Sequence, residues 1–290
     1  MVSQGGAVIF NPVAGRGQGA RLRADAQQRL GDAFTWIATT RSGHAAELAR
    51  EAATKQEVVV AFGGDGTVGD VARGILGTNA TLGILPVGTG NDFARNLGLP
   101  LDMPEACATI LGGNVRRIDV GIINGQPFVN NAGLGFDSQV MTTMNTSIRF
   151  TRGRPAFILA ILKTILTFKA FRMTLTADDG IERPYETMLV SILNGKVYGA
   201  GMMAAPHAEM DDGRVDVMIV KNLSRLQRLS VLLKIQSGQH LTHPAVELIQ
   251  TRTLALTTIP PQPLNIDGEV RGLTPIALTV ENRALRVLVR

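Results

Sequence analysis

Apolar runs that stop abruptly at glycines set the pattern of this chain. Residues 58–62 (VVVAF) are continuously apolar and rich in β-branched side chains, as in a strand buried on both faces, and the run breaks at Gly63, Gly64, Asp65, Gly66 and Thr67. Val68, Val71, Ile75 and Leu76 follow at helical spacing. Residues 6–10 (GAVIF) repeat the theme, running into Asn11, Pro12, Gly15, Arg16, Gly17 and Gly19 before a helix over about 20–30. So do residues 82–85 (LGIL), which meet Pro86, Val87, Gly88, Thr89, Gly90, Asn91 and Asp92 ahead of another helix. Between these, 34–39 (FTWIAT) reads as a strand and 44–54 as a helix with His44 in its first turn. Alternating strands and helices predict a doubly wound, mostly parallel sheet, with the loops after its strands converging on one edge.

After Cys107 the pattern changes. Residues 111–114 (LGGN) end a helix, 116–123 form a strand, and Asn124 with Gly125 signals a hairpin into 128–132. Strand-like runs at 171–177, 187–193 and 215–220, separated by Asp-Gly and Asn-Gly turns, predict a second, largely antiparallel β-domain. Helical segments at about 154–168 and 226–235 interrupt it.

A chain of 290 residues with 45% hydrophobic content suits one large domain or, better, two, and disorder is not expected. The formal charge of +5 suits anionic nucleotides and lipid surfaces. Nucleic acid gains no support, because aromatics are 4% and no basic, aromatic-interleaved motif is present. The single Cys107 cannot form an internal disulfide, which fits a reducing compartment, and residues 1–7 lack the marks of a secretory signal. A cytoplasmic location is expected. The most apolar window, 156–168, is shorter than a spanning helix and contains Lys163; packed and interfacial readings both stand.

Glycines let backbone amides approach a ligand, and a helix N-terminus attracts phosphate. Asp65 would repel that phosphate unless it caps the helix or a cation lies between, so the loop predicts a nucleotide with Mg²⁺. Three such loops predict a shared phosphate site, with Asn11 shaping its backbone and Arg16 supplying positive charge. Dinucleotide binding fits poorly: GRGQG is not GxGxxG, and the second strand ends in Thr39 and Thr40 where an acidic ribose ligand is needed. A GxxxxGK[ST] loop is absent. Asn91 and Asp92 can cap a helix and face the same cleft. Acids around Gly213 (Glu209, Asp211, Asp212, Asp216) can hold a hard cation, although spacing alone favours a plain hairpin, as it does for 264–270 (LNIDGEV). His240 and His243 lack a nearby third ligand and read as surface residues beside Pro244.

NPVAGRG at 11–17, GGDGT at 63–67 and PVGTGNDFAR at 86–95, in this order, resemble the diacylglycerol kinase catalytic-domain family, which includes bacterial soluble lipid kinases and sphingosine and ceramide kinases. NAD kinases are similar in fold and in a GGDG loop, but the second segment looks like the lipid kinases. The resemblance implies Mg²⁺-dependent transfer of the ATP γ-phosphoryl group to a lipid hydroxyl, with Mg·ATP between two domains. Asn11, Arg16, Thr39, Gly63, Gly64, Asp65, Gly66, Thr67, Gly88, Thr89, Asn91 and Asp92 would surround the nucleotide. Asp267 would be the general base, with Glu269 and Asp65 as the other catalytic carboxylates. A second, structural Mg²⁺ would be held by the Asp212 carboxylate and the backbone carbonyls of Glu209 and Arg214, with Asp216 able to join. The implied domains are 1–124, of NAD kinase and phosphofructokinase type and joined by the final residues 285–290, and a β-sandwich over 125–284. Implied partners are the lipid substrate and a transient, peripheral contact with the inner face of the membrane; a homodimer is left open. An NAD kinase and a non-catalytic lipid- or nucleotide-binding regulator are the competing readings.

Overall fold

The computed structural model describes residues 5–15, 19–147 and 154–290. They form two compact units: one holds the residues up to Val120 with Gly199–Gly201 and Asn282–Arg290, the other Gly121–Tyr198 and Met202–Glu281.

The first unit runs β1 (Gly6–Phe10), α1 (Gly19–Leu30), β2 (Phe34–Ala38), α2 (His44–Ala52), β3 (Val58–Gly63), α3 (Asp65–Ile75), β4 (Thr81–Pro86), the short α4 (Asp92–Asn96) and α5 (Met103–Gly112), and includes most of β5 (Asn114–Ile123). Strand β1 pairs in parallel with β2 and β3, β3 with β4, and Leu82 of β4 with Val287 near the C-terminus. All residues of β1, β3 and β4 are buried, which is why their sequences do not alternate. Val8, Phe10, Val58, Val60 and Phe62 share a core with Ala26 and Leu30 of α1 and with Met103, Ala106, Cys107 and Ile110 of α5. The pleat sends Ile9, Val59 and Ala61 to the opposite face, where α2 and α3 lie against the sheet. These two helices approach closely at Gly74: a Cβ there would fall 2.4 Å from the Ala46 carbonyl oxygen. Helix α5 has a complete set of end signals: Asp102 accepts from the Glu105 amide at 3.0 Å, Pro104 occupies the first turn, and Gly113 closes the helix with φ 70°.

The second unit continues through β6 (Gln126–Phe128), β7 (Asn131–Gly135), α6 (Phe136–Ser147), α7 (Arg154–Thr167), β8 (Phe171–Thr176), β9 (Glu182–Leu193), β10 (Val197–Tyr198), β11 (Met202–Met203), β12 (Val215–Lys221), α8 (Arg225–Ile235), β13 (Val246–Thr251), β14 (Thr253–Ile259), β15 (Pro263–Ile266), β16 (Glu269–Leu273) and β17 (Ile276–Val289), whose end belongs to the first unit. Its strands are antiparallel in the order β16-β15-β7-β9-β8-β14-β17, and β12 pairs with β9 and β13. Asn124 and Gly125, with φ 48° and 78°, make the predicted turn between β5 and β6. Alternating burial along β14 directs Leu254 and Leu256 into a core with Phe128, Leu134, Leu175, Ile192, Val217, Leu264 and Ile266.

The architecture expected from the apolar pattern is present in both units, with three local differences. The run 128–132 is not one strand, because it bends at Val129 and Asn130, whose amides donate to the Asp267 carboxylate instead of a ladder. Helix α6 had no clear sequence signal, since Ser138 and Thr143 occupy buried positions and interrupt the apolar period. His240 is fully buried rather than on the surface: a short 3-10 helix, Gln239–Thr242, turns it inward so that Nε2 lies 3.0 Å from the Ala204 carbonyl oxygen. Burial holds its pKa below the usual histidine range. Arg16, Arg149 and Arg152 lie outside the described residues.

The contact at Gly74 gives a stability prediction. Gly74→Val should force α2 and α3 apart and cost about 1–3 kcal/mol in denaturant unfolding; unchanged stability would contradict this close helix contact.

Candidate functional site

In the first unit the side-by-side parallel strands β1, β3 and β4 bring their following loops to one sheet edge. The loops after β3 and β4 meet glycine to glycine. A Cβ on Gly88 would fall 2.6 Å from Gly64 Cα and 2.7 Å from Asn91 Oδ1, and one on Gly63 would fall 2.4 Å from Thr67. Asn91 fixes this arrangement in a left-handed conformation, φ 52°, accepting from the Gly88 amide at 2.8 Å and donating to the Gly88 carbonyl at 3.1 Å. The Val87 amide donates to the Gly63 carbonyl oxygen at 3.0 Å. Helix α3 has Gly64 as its N-cap and no side-chain cap, so the amides of its first turn are not used up by the chain's own side chains.

Asn11 continues the same edge: its amide donates to the Phe62 carbonyl at 3.3 Å, and its Oδ1 accepts from the Val13 amide at 3.1 Å. Thr39 sits one strand further out, after β2, its amide donating to the Phe10 carbonyl at 2.9 Å. Thr89 is exposed at the tip of the β4 loop, and Gly66 and Thr67 lie in the first turn of α3. The fold therefore gathers Asn11, Gly63, Gly64, Asp65, Gly66, Thr67, Gly88, Thr89, Asn91 and Asp92, with Thr39 at the margin.

Two carboxylates shape the electrostatics here. Asp65 Oδ1 accepts from the Phe93 amide at 3.1 Å, tying the start of α3 to the start of α4. Asp92 is 5% exposed; its Oδ2 accepts from the Ala200 amide at 2.8 Å, while its Oδ1 is buried with no hydrogen-bond partner. Burial, with the Asp65 charge adding to it, pushes the Asp92 pKa up to about 6. Both side chains close on Gly90, whose missing Cβ would lie 3.0 Å from Asp65 Oδ2 and 3.4 Å from Asp92 Oδ2. An orphaned buried oxygen beside a second carboxylate fits an oxygen-ligated hard cation.

In the second unit, Asp267 and Gly268, with φ 46° and 89°, turn β15 into β16. The Asp267 carboxylate accepts from three consecutive amides, Val129 at 3.1 Å, Asn130 at 3.0 Å and Asn131 at 3.1 Å, and its own amide donates to the Asn131 carbonyl at 2.9 Å. Asn194 supports the same bend, donating to the Val129 carbonyl at 2.9 Å. Glu269 pairs with Arg271, whose Nε lies 2.9 Å away.

The acidic turn after β11 has a different layout. Asp212 Oδ1 accepts from the Arg214 amide at 2.9 Å across Gly213, φ 77°, and Glu209 is exposed. Asp216 is buried in β12, where desolvation raises its pKa to about 6. Oxygen donors in this turn match the preference of Mg²⁺. Among the described residues, no three or more His, Cys, Asp and Glu side chains cluster as a metal-holding group.

Sequence reading did not single out the polar neighbours of Asp267. Asn265, two residues earlier on β15 and 2% exposed, donates to Asp137 Oδ2 at 2.9 Å, and burial raises the Asp137 pKa. The available signals were the Asn130-Asn131 doublet and the i, i+2 spacing of Asn265 and Asp267.

A glycine-rich α/β unit followed by an antiparallel β-unit defines an NAD kinase-like fold. Comparison with known proteins resolves the class further. The diacylglycerol kinase catalytic domain matches residues 6–123, and the YegS C-terminal NAD kinase beta sandwich-like domain matches residues 130–289. The chain is 30% identical over 275 residues to the diacylglycerol kinase of Bacillus subtilis (strain 168), covering 92% of this chain and 90% of that protein. A solved structure assigned as a diacylglycerol kinase of Bacillus anthracis str. Sterne matches with TM-score 0.81 and 26% identity, covering 99% of this chain and 97% of that one. Yeast NADH kinase, solved with NADH, shares the fold at TM-score 0.57 and 9% identity, covering 99% and 84%. The chain belongs to the diacylglycerol kinase family and is a lipid kinase, a phosphotransferase with an alcohol as acceptor.

The buried Asp92 predicts a pH dependence in metal- and nucleotide-free protein. Its folded pKa of about 6 exceeds the ordinary 3.8, so its contribution is fully present below pH 3.8 and is lost as pH rises through 6. Relative to Asp92→Asn, the natural protein should lose roughly 3 kcal/mol over that window in denaturant unfolding; parallel pH profiles would contradict the assigned burial cost.

Proposed function

We propose that this lipid kinase transfers the γ-phosphoryl group of Mg·ATP to the hydroxyl of a diacylglycerol-like lipid. The observation that carries the nucleotide part is the glycine contact between the β3 and β4 loops beside the uncapped first turn of α3. In this reading the amides of Gly64, Asp65, Gly66 and Thr67 hold phosphate oxygens. Asn11 and the flanking backbone, with Arg16, extend the site, Gly88, Thr89, Asn91 and Asp92 border it, and Thr39 lies nearer the nucleoside. Asp65 and the unpartnered Asp92 Oδ1 are the oxygen ligands offered to the magnesium. Bound there, Mg²⁺ would neutralise charge on the transferring group.

Asp267 is the proposed general base, accepting the proton of the attacking lipid hydroxyl. Its three amide partners fix the carboxylate's orientation, so the group would be preorganised rather than free to rotate. Glu269, whose Oε2 is held by Arg271, would help organise the metal through its other carboxylate oxygen. The Asp212 carboxylate and the Glu209 and Arg214 carbonyls, with Asp216 at hand, are the proposed ligands of a structural Mg²⁺. Residues 1–124 with 285–290 would be the nucleotide-binding domain and 125–284 the lipid-side domain, acting at the membrane face where the acceptor resides.

Incubation with γ-labelled ATP, a total lipid extract and NAD tests the reaction directly. Label in the organic phase is expected; label in NADP would overturn the lipid acceptor, and no label in either would favour a regulator. Asp267→Asn should lower turnover by about 10²–10⁴-fold with ATP affinity retained. Because the new amide faces three N–H donors, its fold is to be checked by circular dichroism. Unchanged turnover would remove Asp267 from the role.

A further inference from the structure

A polar pair in the second unit, Asp137 and Asn265, has no part in the mechanism above. Leu264 and Ile266 of β15 belong to the core of that unit, so the pleat sends Asn265 to the other face of the sheet, against the first turn of α6. There Asn265 Nδ2 donates to Asp137 Oδ2 at 2.9 Å. Gly133, paired with Asn265 on β7, makes room for this contact, because a Cβ there would fall 2.2 Å from Asp137 Oδ2. The carboxylate accepts only from the N–H side of the amide, which turns the amide oxygen the opposite way. That oxygen, Asn265 Oδ1, is buried with no hydrogen-bond partner. Ser138, next along α6, does not supply one, since its hydroxyl is directed to the Gly133 and Pro263 carbonyl oxygens at 3.1 and 2.8 Å. An orphaned buried acceptor is costly, and a ligand that brings a donor removes the cost.

The pair lies close to solvent. Asp137 is half-buried, and Val270, directly across from Asn265 on the edge strand β16, is 43% exposed. A hard cation needs several more oxygen ligands than the two offered here. An ammonium would give up a large hydration energy on entering so buried a place, whereas a hydroxyl gives up less and donates one directional bond. Asp267 follows Asn265 by two residues, so their Cα atoms are no more than about 7 Å apart. Neighbouring carbons of one head group can therefore present a hydroxyl to each.

We propose that Asn265 Oδ1, oriented by Asp137, receives a second hydroxyl of the acceptor lipid, so that the preferred head group is a diol or polyol rather than the lone hydroxyl of a diacylglycerol. The inference rests on the reading of Asp267 as the base toward a lipid hydroxyl, and it narrows the acceptor class. Ligand-observed NMR titration of the full chain reads it without turnover, using an octanediol with hydroxyls on its first two carbons and, separately, primary octanol. The diol should bind about tenfold tighter, because the single alcohol leaves the buried oxygen unmatched. Asp137→Ala/Asn265→Val removes both polar partners together and should bring the two affinities to within about twofold. Asp137→Asn no longer dictates which way the Asn265 amide faces, and should lower the preference by about threefold or more.

The ratio of the two affinities within one variant does not depend on how much of it is folded, so a destabilised variant still reports. Equal or weaker binding of the diol by the natural protein, binding of neither compound, or an undiminished preference in the double variant would overturn the proposal. Transfer of label from γ-labelled ATP to a detergent-solubilised lipid extract separates the two readings. Label without a diol preference defeats this inference alone, and a diol preference without label defeats the proposed transfer alone.

Discussion

Two stretches of backbone in the first unit come so close that neither can carry a side chain where they meet. Gly64 and Gly88 touch because β3 and β4 are neighbours in a parallel sheet, and each strand ends in a turn that bends toward the other. Any L-residue at Gly88 would place a carbon 2.6 Å from Gly64 Cα, well inside van der Waals contact. Asn91 holds the arrangement by making both hydrogen bonds of the Gly88 peptide unit. The exposed helix amides, the position of Asp65 and the nearness of Asp92 all follow from this contact. The affinity for phosphate proposed here depends on it.

A second theme is the use of carboxylates to fix irregular backbone. Asp92 takes the amide of Ala200, Asp119 that of Arg283, and Asp267 those of Val129, Asn130 and Asn131. Ala200, Arg283 and Asp267 itself all have positive φ, at 69°, 52° and 46°. A carboxylate accepting main-chain N–H groups satisfies donors that no ladder or helix can reach, and these charge-assisted bonds are stronger than neutral ones. The same side chains can serve chemistry, so Asp92 and Asp267 carry both roles in the proposed mechanism. Replacing either one therefore tests folding and function together unless ligand binding is measured alongside.

The parts legible in the sequence were those with local causes. Residues 58–67 announce a buried strand, a glycine turn and a helix start within ten positions, and the structure has β3 and α3 there. Asn124-Gly125 and Asp267-Gly268 likewise encode their turns directly. What was not legible depends on distant partners. The bend at Val129 and Asn130 is imposed by a carboxylate 138 residues away, and the environment of Asp92 includes Ala200, 108 residues further on. His240 looked polar and loop-borne beside Pro244, yet a short helix buries it. Helix α6 hid behind threonines and serines. The motif residues were visible because they cluster in sequence, whereas Asn194, Asn265 and Asp137 gather only in space.

The glycine contact is the feature to test most directly, by calorimetric titration of Gly88→Ala and the natural protein with Mg·ATP and, separately, with adenosine. If the contact builds the phosphate cradle, the substitution weakens Mg·ATP at least tenfold and leaves adenosine affinity unchanged. Equal affinity of the two proteins for Mg·ATP would contradict a phosphate site at this edge.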